Sequence, residues 1–261
     1  MQNELNIVGI QADLSWENPI ENRAFFEEQI NSLSENTDLV VLPEMFTTGF
    51  TMNPEKVAEK MNGETISWMQ KMASKKQVAI TGSLVIEDNN NYYNRLVFVH
   101  PSGEIETYDK RHSFTLAGED KVYNSGDKIL IATYKGWRIC PLICYDLRFP
   151  VWARNTENYD LLIFMANWPV TRIKAWDTLL KARAIENMSY TIGINRTGKD
   201  ANNYEYSGNS LLIDYLGEEL ATLPKNEVGI LKATFVKSDQ KKIREKLGFL
   251  NDKDSFKIDF K

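Results

Sequence analysis

Glu44, Lys110 and Cys144 each stand at or just past the end of an apolar run, where open α/β sheets place their ligand sites. Glu44 follows Asp38-Leu39-Val40-Val41-Leu42-Pro43, Lys110 follows Tyr108-Asp109, and Cys144 follows Ile139-Cys140-Pro141-Leu142-Ile143. A thiol attacks a carbonyl carbon when a base takes its proton and a positive group holds the oxygen that becomes charged. Cys144 falls where a buried strand is expected to turn sharply into a helix, exposing the side chain and turning backbone N–H groups toward it. Cys140, inside the strand, is expected to be a small core residue. Histidine is the usual base, yet the chain has only His100 and His112. His100 reads as a turn residue before Pro101-Ser102-Gly103, and a pair between Cys144 and His112 would leave Glu44 and Lys110 without roles. A carboxylate serves instead when a dry pocket raises its pKa, and Glu44, between a buried run and Met45-Phe46, is placed for that. Lys110 is expected to lower the pKa of the thiol and to hydrogen-bond the oxyanion, the plain alternative being a solvated Lys110-Arg111 pair.

The elements that must position these residues alternate along the chain. Strands are expected at 5–10, 38–43, 77–86, 92–100 and 104–109, with helices at 19–34 (Ile20, Ala24, Phe25, Ile30 and Leu33 inward) and 64–75. Strands near 128–134 and 137–143, a short helix after Leu147, a strand at 160–166 and a helix at 172–188 follow. The last third reads as strands at 190–195, 208–214, 219–223 and 227–235, with a hairpin at Gly217-Glu218 and a helix from about Ser238. This mixture predicts a layered α/β protein, and the lack of any linker or repeat predicts one domain over 1–261.

Composition narrows the function. In 261 residues, 43% hydrophobic and 11% aromatic content supports a substantial core. A net charge of -5 argues against a nucleic-acid binder, so an anionic substrate must meet local positive charge. No apolar run is long enough to span a bilayer, and Met1-Gln2-Asn3-Glu4 does not resemble a signal peptide, so a cytoplasmic protein is expected. The glycine-rich turns that cradle nucleotides are absent, so no nucleotide cofactor is expected. With two cysteines four residues apart and two sequence-distant histidines, neither a structural disulfide nor a metal centre is expected.

The pattern resembles the nitrilase, or carbon-nitrogen hydrolase, superfamily, whose triad is Glu, Lys and Cys in that order. Leu42-Pro43-Glu44-Met45-Phe46, Tyr108-Asp109-Lys110-Arg111-His112 and Ile143-Cys144-Tyr145-Asp146-Leu147-Arg148-Phe149-Pro150 are similar to its three motifs, and comparable segments follow at 166–169, 183–187 and 195–198. The resemblance implies an αββα four-layer sandwich of two face-to-face sheets, often dimerised. Thr47-Thr48-Gly49-Phe50, Lys110-Arg111-His112 and Asn167-Trp168-Pro169 are similar to bacterial omega-amidases, which deamidate 2-oxoglutaramate and 2-oxosuccinamate. A homodimer acting on a small 2-oxo acid amide is therefore implied. So is a second glutamate after the lysine, which Glu119 matches, to orient Lys110 and the substrate amide.

In the implied cycle Glu44 takes the Cys144 proton, Lys110 and the Tyr145 backbone N–H hold the oxyanion, and a thioester forms and is hydrolysed. An omega-amidase must also hold a far carboxylate, for which Arg172, Lys174 and Arg196 are candidates. Arg148 is expected behind the site, paired with Asp146 or Glu186, and Phe46 and Trp168 as apolar pocket walls. The triad does not separate an amidase from a nitrilase or an N-carbamoyl amino acid hydrolase, nor from a silent binding protein on the same scaffold.

Overall fold

Alternating side chains of the first strand, β1 (Glu4–Gln11), enter two different cores: Leu5 and Ile7 go to one, Val8 and Ile10 to the other. This computed structural model describes residues 2–259; Met1, Phe260 and Lys261, which the expected domain over 1–261 includes, lie outside the described residues. The chain continues through α1 (Pro19–Asn31), β2 (Leu39–Val41), α2 (Pro54–Val57), α3 (Glu64–Lys76), β3 (Ala79–Asp88), β4 (Asn91–Val99) and β5 (Ile105–Asp109). Next come β6 (Ala132–Tyr134), β7 (Trp137–Ile143), α4 (Pro150–Ala153), β8 (Leu161–Ala166), α5 (Ile173–Asn187) and β9 (Tyr190–Asn195). The last elements are β10 (Thr197–Lys199), β11 (Glu205–Ser207), β12 (Leu211–Ile213), β13 (Glu219–Thr222), β14 (Gly229–Val236) and α6 (Lys237–Leu247).

Two six-stranded sheets result, in the orders β14-β1-β2-β3-β4-β5 and β13-β12-β9-β8-β7-β6. In β2, Leu39 and Val41 join the core shared with the second sheet, while Val40 packs with α1 and α3 through Phe26, Ile30, Ile66 and Met69. Helix α5 covers the other sheet with Trp176, Leu180 and Ala184, which makes the αββα sandwich. Strands β1, β2 and β3 are parallel, as are β7, β8 and β9. Their C-terminal ends meet, because Asn167 after β8 donates its backbone N–H to the Glu44 carboxylate after β2 at 2.8 Å.

Some sequence expectations shift. Helix α1 buries Asn22, Phe26 and Ile30, whereas Ile20 is 74% exposed, Ala24 is exposed and Phe25 is half-buried. The reason is polar: Asn22 exchanges hydrogen bonds with the backbone of Ser15 and donates to Thr47 O, so an asparagine occupies the inward position that an apolar count gives to its neighbours. The expected strands at 128–134 and 208–214 shrink to Ala132–Tyr134 and Leu211–Ile213, the latter because Gly208 and Asn209 adopt positive φ. The short α2, β10 and β11 give no periodicity to read.

Gly9 sets how closely the sheets approach. A Cβ there would stand 2.2 Å from Ile194 Cδ1 on β9. Gly9→Ala is expected to cost about 1–3 kcal/mol in urea unfolding at unchanged m-value, and Ile194→Val in the same chain to recover part of it. An unaltered midpoint would mean that the two sheets have slack at this point.

Candidate active site

The turn after β2 carries Glu44, with Met45 at φ 42° and its N–H held by Ser83 Oγ of β3. The Glu44 carboxylate is fully buried. Its Oε1 accepts from Lys110 Nζ and from Asn94 Nδ2 of β4, both at 2.8 Å, and its Oε2 accepts from the Asn167 backbone. Lys110, 2% exposed, also donates to both oxygens of Glu119 at 2.9 and 3.0 Å. The Phe114 backbone N–H donates to Glu119 as well. Both of the lysine's carboxylate partners raise its pKa, outweighing the opposing effect of burial, so it stays charged. Burial raises the Glu119 carboxyl, with Lys110 pulling the other way and Glu44 adding to the rise.

Cys144 is the hinge between β7 and a 3-10 turn, Cys144–Arg148, and has φ 44°, a left-handed conformation that costs a non-glycine residue about 1–3 kcal/mol. The fully buried Asp146 fastens this elbow. It accepts from the Ile143 backbone at 3.1 Å, Tyr108 OH at 2.7 Å and the His112 backbone at 3.0 Å, with the His112 ring Nδ1 at 2.8 Å. One carboxylate thus ties the segment around Lys110 to the segment around Cys144, and His112, stacked on Phe149, serves that joint. Burial, then Glu44, pushes the Cys144 thiol well above its usual range, and the downward pull of Lys110 is outweighed. The net direction is upward, toward the protonated thiol, so the expected lowering by Lys110 is not the net effect. Burial likewise pushes Cys140 up, inside the strand.

Cys144, Glu44 and Asn167 line a cavity of about 500 Å³. Trp16, Phe50, Met52, Phe114 and Trp168 supply apolar wall, and the β10–β11 hairpin adds Tyr204 and Tyr206. Tyr145 also lines it; as the second residue of its turn it belongs to the N–H groups that a helix start leaves unpaired. Arg148 and Arg172 line it too, stacked on Trp168 and Phe114 at 5.0 and 4.8 Å. Among the described residues neither has a carboxylate partner.

Four further sequence expectations change here. Phe46 is not a cavity wall: it packs on Phe26 and Trp68 in the core under α1 and α3, in space left by Gly82, where a Cβ would stand 2.8 Å from its ring. Arg196 is not a cavity residue either, because Asp13 Oδ1 and Leu14 O capture its Nη2 at 2.9 and 3.2 Å, and it backs the Tyr206 ring from behind. Lys174 is exposed outside the cavity. Arg148 pairs with neither Asp146, whose oxygens are taken by the elbow, nor Glu186, which holds Arg183. Sequence reading missed Asn94 and Ser83, which link as Oγ–H to Oδ1 at 2.8 Å. Their signal was a polar side chain inside an otherwise apolar strand. Among the described residues no group of three or more His, Cys, Asp or Glu could hold a metal ion.

The carbon-nitrogen hydrolase family matches residues 10–245. The omega-amidase YafV of Yersinia enterocolitica is 40% identical over 252 residues, 97% of this chain and 98% of that one. The 2-oxoglutaramate amidase of Bacillus subtilis is 35% identical over 248 residues, 93% and 95% of the two chains. A CN-hydrolase superfamily protein of Xanthomonas campestris, solved with an arsenic adduct in its active site, superposes with a TM-score of 0.96 at 37% identity, covering 99% of this chain and 100% of that one.

Lys110→Met would leave Glu44 and Glu119 buried without their cation, which is expected to cost about 3–5 kcal/mol at about pH 8. Removing Lys110 also pushes Glu119, already raised, further up; the folded variant then binds protons more tightly than the unfolded chain. Its deficit against the parent should therefore shrink as the pH falls toward about 5, and urea unfolding across that range measures it. A deficit independent of pH would contradict this account.

Proposed function

This chain belongs to the carbon-nitrogen hydrolase family, and from that we propose that it is an omega-amidase: it converts 2-oxoglutaramate or 2-oxosuccinamate to the 2-oxo acid and ammonia. The observation that carries the reading is the cavity itself: Glu44, bonded to Lys110, and Cys144 line it, and two guanidinium groups without carboxylate partners stand on its walls. Such a cavity suits a short substrate with an amide at one end and a carboxylate at the other.

Glu44 takes the thiol proton as sulfur attacks the amide carbon, and the oxyanion is held by Lys110 and the Tyr145 N–H. Collapse of the tetrahedral intermediate breaks the carbon–nitrogen bond, Glu44 returns the proton to nitrogen, and ammonia leaves a thioester on Cys144. Water, deprotonated by Glu44, attacks the thioester, and the acid is released with the thiol restored. Glu119 keeps Lys110 aimed at the oxyanion. Arg148 and Arg172 hold the far carboxylate, and Trp168 gives the Arg148 fork a flat backing.

Among the described residues no helix is long and apolar enough to cross a membrane. The unpaired Cys140 and Cys144 are in keeping with a reducing cytoplasm, the compartment in this reading. The working unit in the same reading is a homodimer, and exposed Ile185 of α5, with exposed Leu216 and Leu220 from the β12–β13 hairpin, supports it. Sedimentation should then give twice the chain mass, and Ile185→Glu should shift it toward the monomer.

Ammonia release decides the reaction. The purified protein should release it from freshly generated 2-oxoglutaramate and 2-oxosuccinamate, and Cys144→Ala should not. Arg148→Met or Arg172→Met should raise KM for these anionic amides about ten- to hundredfold with little change in kcat, a neutral amide being unaffected. Turnover of only a nitrile or an N-carbamoyl amino acid would move the substrate class, and no turnover would favour the silent scaffold.

A further inference from the structure

Five buried side-chain polar atoms among the described residues lack a hydrogen-bond partner, and of their residues only Asn167 lines the cavity. Native proteins leave few such atoms, and one beside a nucleophile calls for a ligand. The orientation of this amide is settled by its partners. Nδ2 faces the Glu44 carbonyl oxygen at 2.6 Å and Glu44 Oε2 at 3.5 Å, and both of these only accept. The orphan is therefore Oδ1, an acceptor. Asn167 is 5% exposed, and its backbone N–H on the Glu44 carboxylate places it beside the base in the wall of the cavity.

We infer that Asn167 Oδ1 accepts an N–H of the substrate's carboxamide, which makes Asn167 the residue that selects amides over nitriles and esters. The inference rests on the proposed amidase chemistry but not on the identity of the acyl group. Lys110 and the Tyr145 N–H are donors and suit the carbonyl oxygen; the amide nitrogen presents donors and needs acceptors. In the side-chain network that holds Glu44 the acceptors are the Glu44 carboxylate, which handles the proton, Glu119, which is occupied by Lys110, Asn94 and Phe114, Asn94 Oδ1, which takes Ser83, and Asn167 Oδ1, which has no other bond. A nitrile or an ester carries no N–H there and would leave Oδ1 buried and unsatisfied, a loss that disfavours it. Because Nδ2 and the backbone N–H of Asn167 hold Glu44, the residue that reads the leaving nitrogen also positions the base that protonates it.

The test reads the N–H contact apart from turnover. Iodoacetamide and methyl iodoacetate are similar in size, lose iodide alike and both need the Cys144 proton removed; only the first offers an N–H. Alkylation of Cys144 is followed by peptide mass spectrometry for each reagent, with glutathione as the reference thiol. The native protein should favour iodoacetamide by about tenfold more than glutathione does, and Asn167→Ala should abolish that excess. A merely structural role would slow both reagents together in the variant and keep their ratio, which would overturn the inference. The excess in the native protein needs no variant, so its absence would overturn the inference even if Asn167→Ala failed to fold. Neither outcome depends on which amide the enzyme hydrolyses, so a failure here is distinct from failure of the omega-amidase reading.

Discussion

The site depends on one buried ion pair, Lys110 with Glu44, whose carboxylate is also held by Asn94 and by Asn167. Burying charges is costly unless every polar partner is in place, so this pair imposes order on its neighbours. Ser83 fixes Asn94, Asn94 and Lys110 fix Glu44 and Glu119, and Asn167 reaches across from the second sheet. Four strands of one sheet, β2 to β5, and β8 of the other thus meet at a single network. Its rigidity keeps a charged lysine next to a protonated thiol without a pre-formed thiolate.

The elbow is held by a separate device. Asp146 joins Tyr108 and His112 to Ile143, and the left-handed Cys144 is tolerated because these bonds over-determine its backbone. The lysine segment is therefore braced twice, to the cysteine segment at Asp146 and to Asn167 after β8 through Glu44. Wall residues are backed in the same manner: Arg196 supports Tyr206, and Trp168 supports Arg148.

Glu44, Lys110 and Cys144 were legible as candidates because each directly follows a strand or the turn after one, where polar groups gather at the end of a sheet. The strands themselves were legible from β-branched runs, and the αββα layering came from the family resemblance rather than from periodicity. Phe46 and Arg196 misled because position next to a motif does not reveal side-chain direction: a space left by Gly82 and a carboxylate at Asp13 drew them elsewhere. Arg148 misled in the opposite sense, since the carboxylates near it in sequence were engaged by partners far along the chain. Asn22 shows the same limit in a helix, where backbone acceptors rather than apolar periodicity chose the inward face.

Glu44 comes from one sheet and Cys144 from the other, and the apolar layer between them, with Gly9 against Ile194, sets their separation. The spacing of the Glu44 carboxylate and the Cys144 thiol is therefore a property of sandwich thickness. Neither half of the chain holds Glu44, Lys110 and Cys144 together. In the proposed reaction the base, the lysine and the thiol come together only when the two sheets close, which confines amide cleavage to the finished fold.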